Sequence, residues 1–175
     1  MQPDVYGYRP SVRILAFGDA VGALFLAGLA ITVYEVVARY AFNAPTNWVN
    51  ATTTTLCGVA FALGGAPVME RGEHIRITSL IDRFSLRGRA LAELLGLACG
   101  LLYLGGLSYA AVQEAYGAVW RFDDDRWFPE PMPGPPGWPL PALLRVALAL
   151  GALLFLWVTL KRGVAVVKTL IHAQA

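Results

Sequence analysis

The chain has 175 residues, of which 57% are hydrophobic and only 15% charged, with a net charge of +2 and a mean hydropathy of +0.54. Such apolarity excludes an ordinary soluble domain, and the small net charge, with no aromatic-laced basic patch, argues against nucleic acid as a partner. The two cysteines, Cys57 and Cys99, each sit inside a long apolar run and read as packing residues, not as a disulfide framework.

A short polar N-terminus carrying Arg9 and Arg13 leads into apolar residues 14–38, the first predicted transmembrane helix. This run exceeds the apolar core of a cleaved signal peptide and has no small-residue cleavage site, so it is expected to remain as a span. At its far end Glu35 and Arg39 stand at i, i+4, the spacing of an intrahelical ion pair. Residues 40–47 hold a turn signature around Asn43, Pro45 and Thr46, followed by Trp48, an aromatic of the kind enriched at membrane interfaces. Residues 48–69 contain no charge and form the second predicted span. The hydroxyls of Thr52 to Thr55 either bond back to carbonyls one turn earlier or cross to another helix.

Residues 70–89, ERGEHIRITSLIDRFSLRGR, are rich in arginine (Arg71, Arg76, Arg83, Arg87, Arg89) and separate two pairs of spans. Within them Ile77, Leu80, Ile81 and Phe84 fall at i, i+3, i+4 and i+7, which predicts a short amphipathic helix lying on the membrane surface and touching lipid. His74 stands just ahead, either as a loop residue or as a cap on that helix. Residues 90–116 form the third span, with Glu93 near its start and Glu114 near its end. Gly96 and Gly100, like Gly18 and Gly22 earlier, have the spacing that lets helix backbones approach closely.

The link 120–139 is dense in proline, which excludes a helix and favours extended backbone. Its charges lean acidic, and Trp120, Trp127 and Trp138 are suited to anchoring it at an interface. Residues 140–160 form the fourth span, which runs into Lys161, Arg162 and Lys168.

Basic residues concentrate at both termini and in residues 70–89, leaving Arg39, Arg121 and Arg126 on the other side. By the positive-inside rule the termini are therefore cytoplasmic. The expected fold is all-α and integral to the membrane: one domain, residues 1–175, with four transmembrane helices and an amphipathic interfacial helix between the second and third. Charged groups cluster near the span ends and leave the bilayer centre empty, whereas a proton relay or ion pathway would place them in the interior. Arg145, about a turn inside the fourth span, is expected either to pair with Glu35 or Glu114 or to reach out to the headgroups.

Only His74 and His172 are available as imidazole ligands, and no nucleophile, metal or phosphate-cradling motif occurs, so no cofactor, metal or catalytic activity is expected. The competing reading is a small four-helix membrane enzyme with a cytoplasmic-face site around His74, using Glu70, Glu73, Asp82 and the neighbouring arginines.

The order of four spans, with RYAFNAPTNW between the first two, GEHIRITSLIDRFSLRGR after the second, and Pro139, Leu140 and Pro141 opening the fourth, resembles the small membrane subunit of TRAP transporters, the DctQ type, over nearly the whole chain. The matching positions are Arg39, Phe42, Pro45 and Trp48 in the first connector, and His74, Ile75, Ile77 and Leu80 after the second span. Asn50 and Ala51 stand where members often carry acids. The resemblance implies a bacterial inner-membrane scaffold for a large membrane subunit. It also implies a periplasmic substrate-binding protein as partner and sodium-driven uptake of an organic anion. Arg39, Trp48, His74, Ile77, Leu80, Ile81, Phe84 and Arg145 are the candidate subunit or lipid interface.

Overall fold

The computed structural model describes residues 10–71, 86–123, 126–133 and 136–172. Four long helices dominate: α1 (Val12–Ala41), α2 (Val49–Arg71), α3 (Leu86–Val119) and α4 (Leu140–His172). Each contains a stretch long and apolar enough to cross a membrane. Between α3 and α4 the chain makes one small antiparallel ladder, β1 (Phe122–Asp123) against β2 (Arg126–Trp127). The described part of the proline-rich link is otherwise irregular, as its missing amides require.

The helices overrun the apolar spans that encode them. Helix α4 continues through Lys161 and Arg162 to His172, because basic residues that mark the headgroup level are good helix formers and do not end a helix. At about 1.5 Å per residue its 33 residues reach roughly 50 Å, well beyond a hydrocarbon layer of about 30 Å.

Their arrangement is an open row, not a closed bundle. Helix α1 lies against α2, α2 against α4, and α4 against α3, and no other pair is in substantial contact among the described residues. The two inner helices are the better covered, with 28% of the α2 span and 33% of the α4 span buried against 17% for α1 and α3. This placement explains why α2 can be the least apolar of the four, with a mean hydropathy of 1.3. Flanked on both sides, it shows less of itself to lipid and can carry threonine, alanine and glycine.

Small residues set the seams, as expected where lipid offers no hydrophobic drive for helix association and close packing must supply the attraction. Along the antiparallel α1–α2 seam, a Cβ on Gly18 would stand 2.5 Å from Cβ of Pro67. Pro67 lies inside the last part of α2 and lacks the amide that would bond to Leu63. Further along, Gly28 faces Cys57 and Thr53, and Phe25 meets Phe61 edge-to-face at 5.3 Å. In the parallel α2–α4 seam the contacts rise together: Gly58 with Leu144, Ala62 with Gly151, Gly65 with Phe155. No side chain fits at Gly151, because the carbonyl of Ala62 occupies the position its Cβ would take. The Gly96 and Gly100 pair in α3 touches no other part of the described chain, and Gly22 is likewise open. Close spacing of glycines therefore marks a seam at Gly18 alone.

Two of the four threonines in the run make local bonds, while the buried Thr53 hydroxyl has no partner among the described residues. Thr52 and Thr55 donate to the carbonyls of Trp48 and Ala51, at 2.9 and 2.8 Å. Back-bonding of this kind satisfies a hydroxyl inside an apolar layer without a partner helix.

The two ends of the row are built differently. The end holding the start of α1 and the finish of α2 contains the buried core of Ala66, Met69 and Val158. Ile14, Leu97, Leu154 and Phe155 pack against it, so all four helices contribute. The opposite end carries the α1–α2 connector and the α3–α4 link, and side-chain polar and aromatic contacts hold it.

Candidate subunit and lipid interface

The α1–α2 connector is set by its backbone. Asn43 adopts a left-handed conformation, φ 50°, which asparagine tolerates better than most residues. The turn lets the Ala44 amide donate to the carbonyl of Ala38 at 3.0 Å. The predicted Glu35–Arg39 pair is present, with Arg39 Nη2 2.6 Å from Glu35 Oε1. The same carboxylate accepts from the Thr46 hydroxyl and, at 3.2 Å, from the Thr46 amide. Glu35 therefore ties the finish of α1 to the approach of α2.

Trp48 is half-buried. Its ring lies 6.3 Å from that of Tyr34 on α1 and 6.0 Å from that of Trp138 in the α3–α4 link. These tilted contacts bridge the two connections at this end of the row. The link itself folds back on α3, since the Glu130 amide donates to the carbonyl of Ala118 at 3.0 Å. Met132 is buried, and its amide donates to the carbonyl of Trp138 at 2.8 Å.

Arg145 pairs with a residue outside the two proposed from sequence. Its Nη1 lies 2.5 Å from Glu130 Oε2, with Nη2 3.4 Å from Glu130 Oε1 and Nε 3.9 Å from Glu114 Oε2. Glu114 is thus a peripheral partner, and Glu35 is engaged elsewhere, with Arg39 and Thr46. The guanidinium fork suits a carboxylate presented by two prolines, Pro129 and Pro131, which restrict the backbone around Glu130. That flanking was the one sequence signal for Glu130. The Trp48–Trp138 contact had none beyond the general affinity of tryptophan for interfaces.

The structure thus gathers Arg39, Trp48 and Arg145 at one end of the row. His74, Ile77, Leu80, Ile81 and Phe84, with the predicted amphipathic helix and the residues Glu73 and Asp82 of the enzyme reading, lie outside the described residues.

At the other end, charged side chains complete helix termini. The Ser11 amide, at the start of α1, donates to Oε1 of buried Glu70 at 2.5 Å. Buried Arg162 donates from Nη1 to the Met69 carbonyl in the last turn of α2 at 3.0 Å. An acid at a helix N-terminus and a base at a helix C-terminus both agree with the helix dipole and satisfy groups that lack intrahelical partners. Arg71 bonds to Asp19 alongside them. Lys161 sits over the Trp157 ring at 5.1 Å, an arrangement suited to the headgroup level.

Between the ends, both broad faces of the row are apolar and exposed, with Leu26, Leu29, Phe61, Leu102 and Leu150 each more than half accessible. Among the described residues no group of histidine, cysteine and carboxylate side chains is placed to hold a metal.

The comparisons agree with this architecture. A family model described as "Tripartite ATP-independent periplasmic transporters, DctQ component" matches residues 28–169. That match runs from the middle of α1 almost to the end of α4, and leaves out the first half of α1 with its Gly18 contact. A search of curated proteins returned no match. The chain belongs to the DctQ component family of the tripartite ATP-independent periplasmic transporters.

Proposed function

We propose that this chain is the small membrane subunit that braces the large translocating subunit of a TRAP-type secondary transporter and helps dock a soluble periplasmic substrate-binding protein. The substrate class would be an organic anion, a carboxylate or sugar acid, taken up with sodium across a bacterial inner membrane. With the termini in the cytoplasm, Arg39, Trp48 and Arg145 stand on the periplasmic side.

The open row carries this reading. Among the described residues the four helices follow one another in a row, each inner helix touching two neighbours and each outer helix one, and the middle portions of the spans bear no charged residue. Ion and proton pathways need such groups inside the membrane. A row of helices with exposed apolar side chains is suited to packing along a larger membrane protein and to standing in lipid.

Co-purification tests the proposal. Tagged chain, expressed with a large TRAP-type membrane subunit from the same genome and extracted in mild detergent, is expected to bring that subunit down in a stable complex. Recovery of the tagged chain alone, with the large subunit shown to be folded and present in the extract, would overturn the reading.

A further inference from the structure

The polar cluster at the connector end does more than neutralise an arginine near the membrane edge. Arg145 belongs to α4, Glu114 to α3, and Glu130 to the link between those helices. The Glu130 amide is bonded to the end of α3, and two residues later Met132 is buried. Met132 in turn holds Trp138 through its amide, and Trp138 meets Trp48. A single chain of contacts therefore runs from Arg145 through the link to the α1–α2 connector.

We propose that Arg145 is a positioning residue, a latch that grips Glu130 and sets the described part of the α3–α4 link around Phe128 to Met132 and Trp138 as a preformed surface across the connector end of the row. Three observations favour a fixed surface over a loosely tethered loop. The prolines around Glu130 lower the conformational freedom lost when the link is held. The guanidinium reaches both carboxylate oxygens, at 2.5 and 3.4 Å, and a forked contact fixes direction as well as distance. A methionine is buried within a solvent-side connection, which ties the path of the backbone to a packing position. Phe128 and Trp138, 58% and 44% exposed, are then held outward on a rigid base.

On the reading given under Proposed function, this surface is offered to the soluble binding protein. Holding it in one conformation before contact lowers the ordering cost of association. Releasing the latch would weaken capture of that protein while leaving packing along the membrane faces intact.

The test uses the complex with the large subunit. Glu130→Gln removes the ion pair but leaves Arg145 its neighbour Glu114, and Arg145→Gln removes both contacts. Two measurements report on the link itself: tryptic cleavage after Arg121, and alkylation by a membrane-impermeant maleimide of Met132→Cys in a chain with Cys57 and Cys99 replaced by alanine. Each variant is expected to raise both rates by roughly fivefold, the effect of a modest loss of interaction energy on an opening equilibrium. Arg145→Lys, which keeps the charge but not the fork, should fall between. Substrate uptake dependent on the soluble protein should drop in the same order, with the large subunit still co-purifying.

Unchanged cleavage and alkylation in Glu130→Gln would overturn the latch. Raised rates with undiminished uptake would overturn its role in docking. A wild-type complex that transports equally well without any soluble component would instead refute the functional reading, and the two rate measurements would still decide the latch.

Discussion

The two ends of the helix row solve the same problem by different means. At the end holding the start of α1, buried charges act on backbone: Glu70 takes the amide of Ser11 and Arg162 gives to the carbonyl of Met69, beside an apolar core drawn from all four helices. At the connector end, contacts between side chains are added to those of the backbone, with Arg145 on Glu130, Glu35 on Thr46 and Arg39, and Trp48 on Trp138. Backbone groups at helix termini must be satisfied wherever water is scarce, so the first arrangement carries much of the fold's stability. Pairs open to solvent contribute little energy but fix direction. The contrast teaches that one end anchors the row and the other shapes a surface.

The largest break in this comparison should come from Arg162→Ala. The substitution removes a charged donor from a buried carbonyl, and hydrogen bonds to charged groups are worth about 1.5–3 kcal/mol. Equilibrium unfolding in mixed micelles should show a loss in that range, together with a fall in the cooperativity of the α2–α4 contact. A loss no larger than that of a surface substitution would mean that the anchoring end is not where stability resides.

A smaller effect separates two glycines of identical spacing. Gly18→Ala drives a methyl against the Pro67 ring, and overpacking of this kind costs about 1–3 kcal/mol. The position lies near the anchored end, where the neighbouring core limits adjustment, although rotation of α1 can relieve part of the strain. Gly22→Ala meets nothing within 4 Å and should be neutral or slightly stabilising, since alanine is the better helix former. Thermal unfolding of both variants in nanodiscs distinguishes them, and equal shifts would contradict the seam.

What was readable in the sequence divides along physical lines. Long apolar runs with at most a few charges near their ends report a span directly, because membrane thickness translates into chain length, and all four spans were legible for that reason. The Glu35–Arg39 pair was legible because helix geometry places i and i+4 together. The row order was not, since helices apolar on every side give no sign of which neighbour each one faces. The same gap separates Gly18, which packs on Pro67, from Gly96 and Gly100, which pack on nothing described. Arg145 stands out in the sequence as a charge inside a span, but its main partner depends on where a proline-rich link returns, which no local periodicity records. Glu70 and Arg162 look like ordinary boundary charges in the sequence, and only the meeting of the start of α1, the finish of α2 and the body of α4 turns them into caps.

The smallest expected effect sharpens the comparison from the other side. Thr46→Val keeps the shape of the side chain and removes the hydroxyl that donates to Glu35, while the Thr46 amide and Arg39 still reach the carboxylate. With two donors left and water at hand, the carboxylate remains satisfied, so the unfolding midpoint should not move measurably. The geometry of the turn should respond, because the hydroxyl is one of the contacts that fixes the angle at which the chain enters α2. Fluorescence of Trp48 provides the readout in a chain whose Trp120, Trp127, Trp138 and Trp157 are replaced by phenylalanine. In that background, which already lacks the Trp138 contact, Thr46→Val should shift the emission or raise its accessibility to a soluble quencher without a stability change. A clear loss of stability with unchanged fluorescence would show that the connector end is an anchor like its opposite, and the division of labour between the two ends would be lost.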